Sequence, residues 1–309
     1  MFSVIFPGQG SQIVGMGKEF YDNFEFVKKL FSYANEILNK DLSNIILNGP
    51  KEELELTENT QPAIFLVSYS IFKIIEMESK FKIKDAKYFA GHSLGEYSAL
   101  CCSKVINFEQ TLRLLKARGK AMQDAVPNRE GGMLAILGVD IEIVKNLINL
   151  NIENYQCYIA NDNTVGQVVV SGKNESLNNF GNELRKQKIK FVKLPVSAPF
   201  HCPLMNKATR QMEDKISNEK FIDPAVKIVS NVTAKPTNNS NEIKKLLIDQ
   251  IEKPVLWRES IINMIELGTK KFIEIGPGTI LSGLIKRINR NVKLNQVNTL
   301  NEMINLSND

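Results

Sequence analysis

From Ala90 to Tyr97 the chain reads Ala-Gly-His-Ser-Leu-Gly-Glu-Tyr, and the Gly-x-Ser-x-Gly pattern in it constrains the backbone more than any other segment. A serine raised on a sharp strand-to-helix turn needs small neighbours. Gly91 and Gly95 let the chain pack closely while Ser93 holds a strained conformation with its hydroxyl presented outward. Ordinary turns also carry this pattern, so its context decides. Residues 81–90 suit a helix end, a loop and a short strand, and residues 96–102 suit a helix, giving the order strand, elbow, helix. A helix that starts just after Ser93 directs its N-terminal amides at the hydroxyl, and the amide of Leu94 is the natural first donor to an oxyanion.

A serine hydroxyl is a poor nucleophile until a base takes its proton. The 309 residues include only two histidines. His92 adjoins Ser93 in the turn and its side chain diverges, which leaves His201 as the imidazole that the fold must bring to Ser93. It lies in Val196-Ser197-Ala198-Pro199-Phe200-His201-Cys202-Pro203, where two prolines fix the local backbone. The third member of a triad is open. Asp162, Asp223, Asp249 and Glu274 compete, and a backbone or amide carbonyl is an alternative to all four. Cys202 beside His201 is a weaker nucleophile candidate, because adjacent side chains rarely face each other. Cys101, Cys102, Cys157 and Cys202 lack CxxC spacing and, with two histidines, make no zinc site. They read as reduced thiols, and no metal is expected.

Two further segments bear on chemistry. Residues 111–122 form a helix whose apolar stripe runs through Thr111, Leu114, Leu115, Ala121 and Met122; Arg118 falls on that stripe, while Arg113, Lys116 and Lys120 share the polar face. A buried guanidinium requires an anionic partner, either a protein acid or a substrate carboxylate held bidentately. Gly8-Gln9-Gly10-Ser11-Gln12 ends a strand at the sheet edge where ligands collect in open α/β folds, and the amide of Gln9 is a second oxyanion donor.

Alternating helices and strands through about residue 128 predict an α/β fold. Residues 133–139, 157–160, 167–171 and 190–195 then read as strands, with helices over 141–150 and 175–187 and a loop over 161–166. This β-α-β-β-α-β order predicts a ferredoxin-like domain over 128–195, inserted into a discontinuous large domain of 1–127 and 196–309. The α/β pattern resumes with strands over 226–230 and 271–275 and helices over 241–250, 257–267 and from Gly278 to about Asn289. Residues 238–241 and 306–309 are expected to be mobile. A net charge of +5 spread along the chain gives nucleic-acid binding little support. The basic clusters at 185–193 and 286–290 are solvated faces or a dock for an acidic partner. No apolar run reaches the length of a membrane span, so no membrane association is expected and the cytoplasm is the default.

Taken together, Phe6 to Gln12, Thr60-Gln61-Pro62-Ala63, Gly91 to Tyr97, Arg118-Gly119 with Met122, Gly132-Met133 with Ala135-Ile136, Asn161 to Gly172, Ala198 to His201 and Glu274 to Gly278 resemble the malonyl-CoA:acyl carrier protein transacylase family. The resemblance runs from residue 2 to about 290. It implies an α/β-hydrolase-like large domain, acylation of Ser93, His201 as base and then acid, and an oxyanion hole from the amides of Gln9 and Leu94. Arg118 is implied to clamp the malonyl carboxylate, the carbonyl of Gln250 to orient His201, and Phe200 to favour malonyl over methylmalonyl. It further implies ping-pong transfer between malonyl-CoA and acyl carrier protein in fatty-acid synthesis, with no cofactor; a monomer is expected separately, because the sequence shows no long exposed apolar face. Gly131-Gly132-Met133 and Cys101-Cys102 depart slightly from the family pattern, away from any catalytic role. A serine esterase or thioesterase, and a silent module that only binds carrier protein, are the competing functions.

Overall fold

The computed structural model describes residues 1–127, 130–150, 155–196 and 198–306. Among these, ten strands form two sheets: β1 (Phe2–Phe6), β2 (Tyr88–Gly91), β3 (Gly131–Leu137), β4 (Cys157–Thr164), β5 (Gln167–Lys173), β6 (Lys190–Lys193), β7 (Lys227–Val229), β8 (Pro236–Thr237), β9 (Lys271–Ile275) and β10 (Lys293–Val297). The larger sheet has the order β10-β9-β1-β2-β7-β8 and is parallel except for β8. Its middle strands are buried on both faces, which is why Phe2–Phe6 and Lys271–Ile275 read as nearly continuous apolar runs. The long helix Thr57–Glu78 packs against Phe108–Gln123, and both lie on one side of this sheet's core.

Register decides what meets at the sheet edge. Phe6 pairs with Gly91, so β1 and β2 end side by side and the Gly8-Gln9 turn and Ser93 emerge together. A β-carbon on Gly8 would press on the carbonyl of His92, so this close approach requires glycine there.

The second sheet has the order β4-β5-β3-β6 with antiparallel pairing throughout. Helices Ile141–Asn149 and Asn174–Lys186 complete a β-α-β-β-α-β sequence, as the spacing predicts. Its separate core joins Leu134, Ile136, Val144, Val168, Val170 and Phe180.

Several expectations are corrected. Residues 161–164 are strand, not loop: β4 continues to Thr164, and Val165-Gly166 alone connects it to β5. The free edge of β4 is taken up by the other sheet's connections, with Val255 N–H donating to Ala160 O at 2.9 Å and Asp162 N–H to Val255 O at 3.0 Å. Irregular register around Asn161 and Asp162 accommodates this, and the side chains of Asp162 and Asn163 find partners in Arg258 and His92. Residues 238–241 are ordered, because Asn239 Oδ1 accepts from Glu242 N–H at 2.9 Å and caps the helix Ser240–Asp249. Leu306 ends the helix Leu300–Leu306 and is fully buried, while 307–309 lie outside the described residues. Asn128, the first residue of the expected insertion, lies outside them too. Strands β8 and β10 had no sequence expectation; the first is two residues long and the second, Lys-Leu-Asn-Gln-Val, is mostly polar.

Candidate active site

Ser93 sits where β2 turns into the helix Leu94–Cys102, with φ 53° and ψ −110°. A non-glycine residue rarely holds positive φ, and this strain points Oγ away from the sheet. Gly91 and Gly95 permit the turn: a β-carbon on Gly91 would overlap the carbonyl of Gly95, and one on Gly95 would overlap that of Phe6. Asn231, just beyond β7, pins the elbow from behind. Its Oδ1 accepts from Ser93 N–H at 2.7 Å, and its Nδ2 donates to Gly91 O at 2.7 Å.

Ser93 Oγ lies 2.8 Å from His201 Nε2. On the other side of that ring, Nδ1 lies 2.8 Å from the main-chain carbonyl of Gln250. A carbonyl only accepts, so Nδ1 carries the proton and Nε2 is left with its lone pair toward the serine hydroxyl. His201 is itself at φ +56°, a second strained residue in direct contact with the first.

Arg118 is wholly buried. Nη1 donates to Gln61 Oε1 at 2.9 Å, and Nη2 donates to Gln250 Oε1 at 2.9 Å and Ser93 Oγ at 3.1 Å. It forms no ion pair among the described residues, so the protein-acid alternative for this guanidinium does not hold. Its plane lies over the ring of Tyr97, 5.5 Å from the centroid. A cleft opens over these groups and is lined by Gln9, Gln61, Ser93, Arg118, Phe200 and His201. Gln9 follows β1 into this cleft, and Leu94 opens its helix, so the Leu94 amide belongs to the first turn, where no intrahelical acceptor exists.

None of the four sequence candidates for an orienting acid is on His201. Asp162 pairs with Arg258, Asp249 with Lys253, Asp223 accepts from Ser240 N–H, and Glu274 caps the helix Ile280–Ile288 through Leu281 and Ser282 N–H. The acid nearest the centre is Glu96, from the elbow motif itself, where sequence reasoning assigned it nothing. Fully buried, it accepts from Gln250 Nε2 at 2.7 Å and Asn231 N–H at 3.1 Å. Burial pushes its carboxyl up to about 7, against these bonds and the nearby Arg118. Gln61 and Asn231 were likewise given no role; the only sequence signals were a position in a shared motif for Gln61 and a place just after a parallel strand for Asn231.

His92 does diverge from the serine, its Nε2 lying 2.8 Å from Asn163 Oδ1 and its ring against Trp257. Cys202 donates from Sγ to Pro199 O at 3.0 Å, and burial holds its thiol near 12, which disfavours it as a nucleophile. Among the described residues no group of three or more histidine, cysteine and acidic side chains is placed to hold a metal.

Burial, reinforced by Arg118, drives His201 down to about 3, and burial also lowers His92. His201 therefore stays neutral as pH falls through the ordinary imidazole range near 6.5. With only two histidines, ring-proton NMR resolves each. The Cε1–H shift of His201 is expected to stay constant from pH 8 to about 5.5, and a His201 midpoint near 6.5 would refute it.

A half-buried serine and a buried imidazole beside an unneutralised guanidinium, on an α/β sheet edge, make an acyl-transferring enzyme, and residues 3–304 match the acyl transferase domain family. The curated malonyl CoA-acyl carrier protein transacylase of Bacillus subtilis strain 168 is 40% identical over 294 residues, 94% of this chain and 90% of that protein. The chain therefore belongs to the malonyl CoA-acyl carrier protein transacylase family. The crystal structure of acyl-carrier-protein S-malonyltransferase from Bartonella henselae superposes with a TM-score of 0.95 at 38% identity, covering 99% of this chain and 98% of the other. A malonyl-transacylase solved in complex with a type II PKS acyl-carrier protein superposes at 0.94 with 36% identity, over 100% and 99% of the two chains.

Proposed function

We propose that this chain moves a malonyl group from coenzyme A to the phosphopantetheine thiol of an acyl carrier protein, in fatty-acid biosynthesis. The observation that carries the reading is one hydroxyl held between a base and a cation: Ser93 Oγ touches both His201 Nε2 and Arg118 Nη2. Oγ attacks the thioester carbonyl as Nε2 takes its proton, forming a tetrahedral adduct whose oxyanion accepts from the amides of Gln9 and Leu94. The adduct collapses to malonyl-Ser93, and the imidazolium returns its proton to the departing coenzyme A sulfur. The carrier thiol then attacks the ester through the same steps in mirror order, so transfer is ping-pong. The Gln250 carbonyl keeps Nδ1–H aligned throughout, in the role an aspartate fills in other serine enzymes. The Arg118 guanidinium receives the malonyl carboxylate, and Phe200 at the cleft wall crowds an α-methyl branch.

The same reading divides the chain into an α/β-hydrolase-like domain of 1–127 and 196–309 and a ferredoxin-like insertion of 128–195. The β4-β5-β3-β6 order with two crossing helices supports the second, and the parallel sheet with its elbow supports the first. Malonyl-CoA is substrate and no cofactor takes part. We place the protein as a monomer in the cytoplasm; no helix of the described residues is long and apolar enough to cross a membrane.

Intact-mass spectrometry tests the clamp. Malonyl-CoA is expected to label the chain rapidly and acetyl-CoA slowly, and Arg118→Ala should slow malonyl loading by about 10- to 100-fold, the worth of one charge-assisted contact. Acetyl labelling as fast as malonyl in the unmodified chain would sink the reading in favour of a general hydrolase.

A further inference from the structure

Arg118 is buried without a carboxylate on it, and a guanidinium left so far from water needs its charge answered somewhere. A direct ion pair would occupy the donors that a substrate carboxylate needs. The negative charge sits one residue back instead, on Glu96, with the side chain of Gln250 between them.

That side chain can face either way only if its neighbours allow it. Its Nε2 meets three acceptors: Glu96 Oε2 at 2.7 Å, Ser93 O at 3.1 Å and Asn231 Oδ1 at 3.3 Å. Its Oε1 meets one donor, Arg118 Nη2 at 2.9 Å. Reversing the amide would set NH2 against the guanidinium and its oxygen against three oxygens, so the neighbours settle its sense. The Glu96 atom that fixes this is Oε2, which takes both the Gln250 and the Asn231 bonds. The titratable or charged groups around Glu96 are Arg118, Tyr97 on the same helix, and His201 across Gln250.

We infer that Glu96 is a positioning residue for malonyl selectivity: it fixes the sense of the Gln250 amide and thereby holds Arg118 against Ser93 Oγ. This inference rests on the malonyl-transfer reading. It separates two functions of Gln250, whose main-chain carbonyl supports His201 whatever its side chain does. Loss of Glu96 should therefore weaken the hold on the substrate carboxylate while leaving the serine and histidine engaged. Acetyl-CoA, which carries no carboxylate, serves as the internal control.

The test compares malonyl and acetyl loading of the full chain with Glu96→Gln and Glu96→Asp, with melting temperatures alongside. In Glu96→Gln, malonyl kcat/KM is expected to fall about tenfold or more, chiefly through KM, with acetyl loading far less affected; Glu96→Asp, which keeps the charge, should recover part of the loss. Should Glu96→Gln not fold, the malonyl-to-acetyl ratio in Glu96→Asp is the measurement, expected to lie below that of the unmodified chain. In an Arg118→Ala background, a further Glu96→Gln or Glu96→Asp should change malonyl loading little, because the path it acts through is gone. Equal losses for malonyl and acetyl, or an unchanged ratio, would overturn the inference and leave the transferase intact. Failure of the unmodified chain to load malonyl at all would overturn both.

Discussion

With Ser93 replaced by alanine, malonyl-CoA is expected to leave the intact mass of the chain unchanged, and transfer to fall by at least about 10⁴-fold. The substitution is clean because alanine keeps the β-carbon already accommodated at φ 53°, and the Asn231 bond to the main-chain N–H survives. What disappears is the atom between His201 and Arg118. His201→Ala should cost a comparable amount, since base and nucleophile act as a unit and their losses do not add. The thiol that adjoins His201 cannot take over readily: Cys202 is buried, held by Pro199 O and far too weak an acid to supply thiolate at neutral pH. A malonyl adduct that persists in Ser93→Ala would show that acylation occurs elsewhere.

Gly91→Ala is expected to remove roughly 3–5 kcal/mol of folding stability, at the upper end for single substitutions. The new methyl would occupy the position of the Gly95 carbonyl, which is backbone and cannot rotate aside. Relief requires the helix Leu94–Cys102 to move, and every residue of that helix is buried. The movement would also pull Gly91 O from Asn231 Nδ2. Gly283→Ala is the matched control. It sits within the helix Ile280–Ile288 with no atom near the added carbon, so it should be neutral or gain up to about 1 kcal/mol from helix propensity. Urea denaturation of the pair reads the difference directly, and equal midpoints would mean that the elbow backbone yields more easily than its packing indicates.

The serine–histidine pair was legible in the sequence for a compositional reason. With two histidines in the chain and one of them adjacent to the serine, elimination left His201, and its ring lies where elimination put it. Arg118 was legible because helical periodicity alone sets it on the apolar stripe. The group that holds His201 could not be read from spacing, since a main-chain carbonyl, here that of Gln250, carries no side-chain signature; Asp162, Asp223, Asp249 and Glu274 each serve a local bond elsewhere. Glu96 escaped notice although it lies in the most informative segment. Position in a motif shows neither burial nor partners, and its partners are 135 and 154 residues away along the chain. The stretch 161–164 misled for a related reason. Consecutive Asn, Asp, Asn and Thr look like a loop when water is assumed as their partner, but His92 and Arg258 bond two of them inside the fold. Strands β8 and β10 lie at the two ends of the larger sheet, where a strand is half exposed and carries little apolar signal.

The seam at Val255 gives the smaller sheet a third tether besides its two chain crossings, made of main-chain bonds to Ala160 and Asp162. A hinge that swung this sheet outward would have to break both bonds and strip Asp162 from Arg258. The smaller sheet is thus tied to the larger one along the cleft as well as at its crossings. For anyone building chimaeras, exchanging residues between the two crossings is not enough. The graft must keep the local register around Ala160 and Asp162, or the recipient's Val255 and Arg258 will be left without a counterpart at the edge of the reaction chamber.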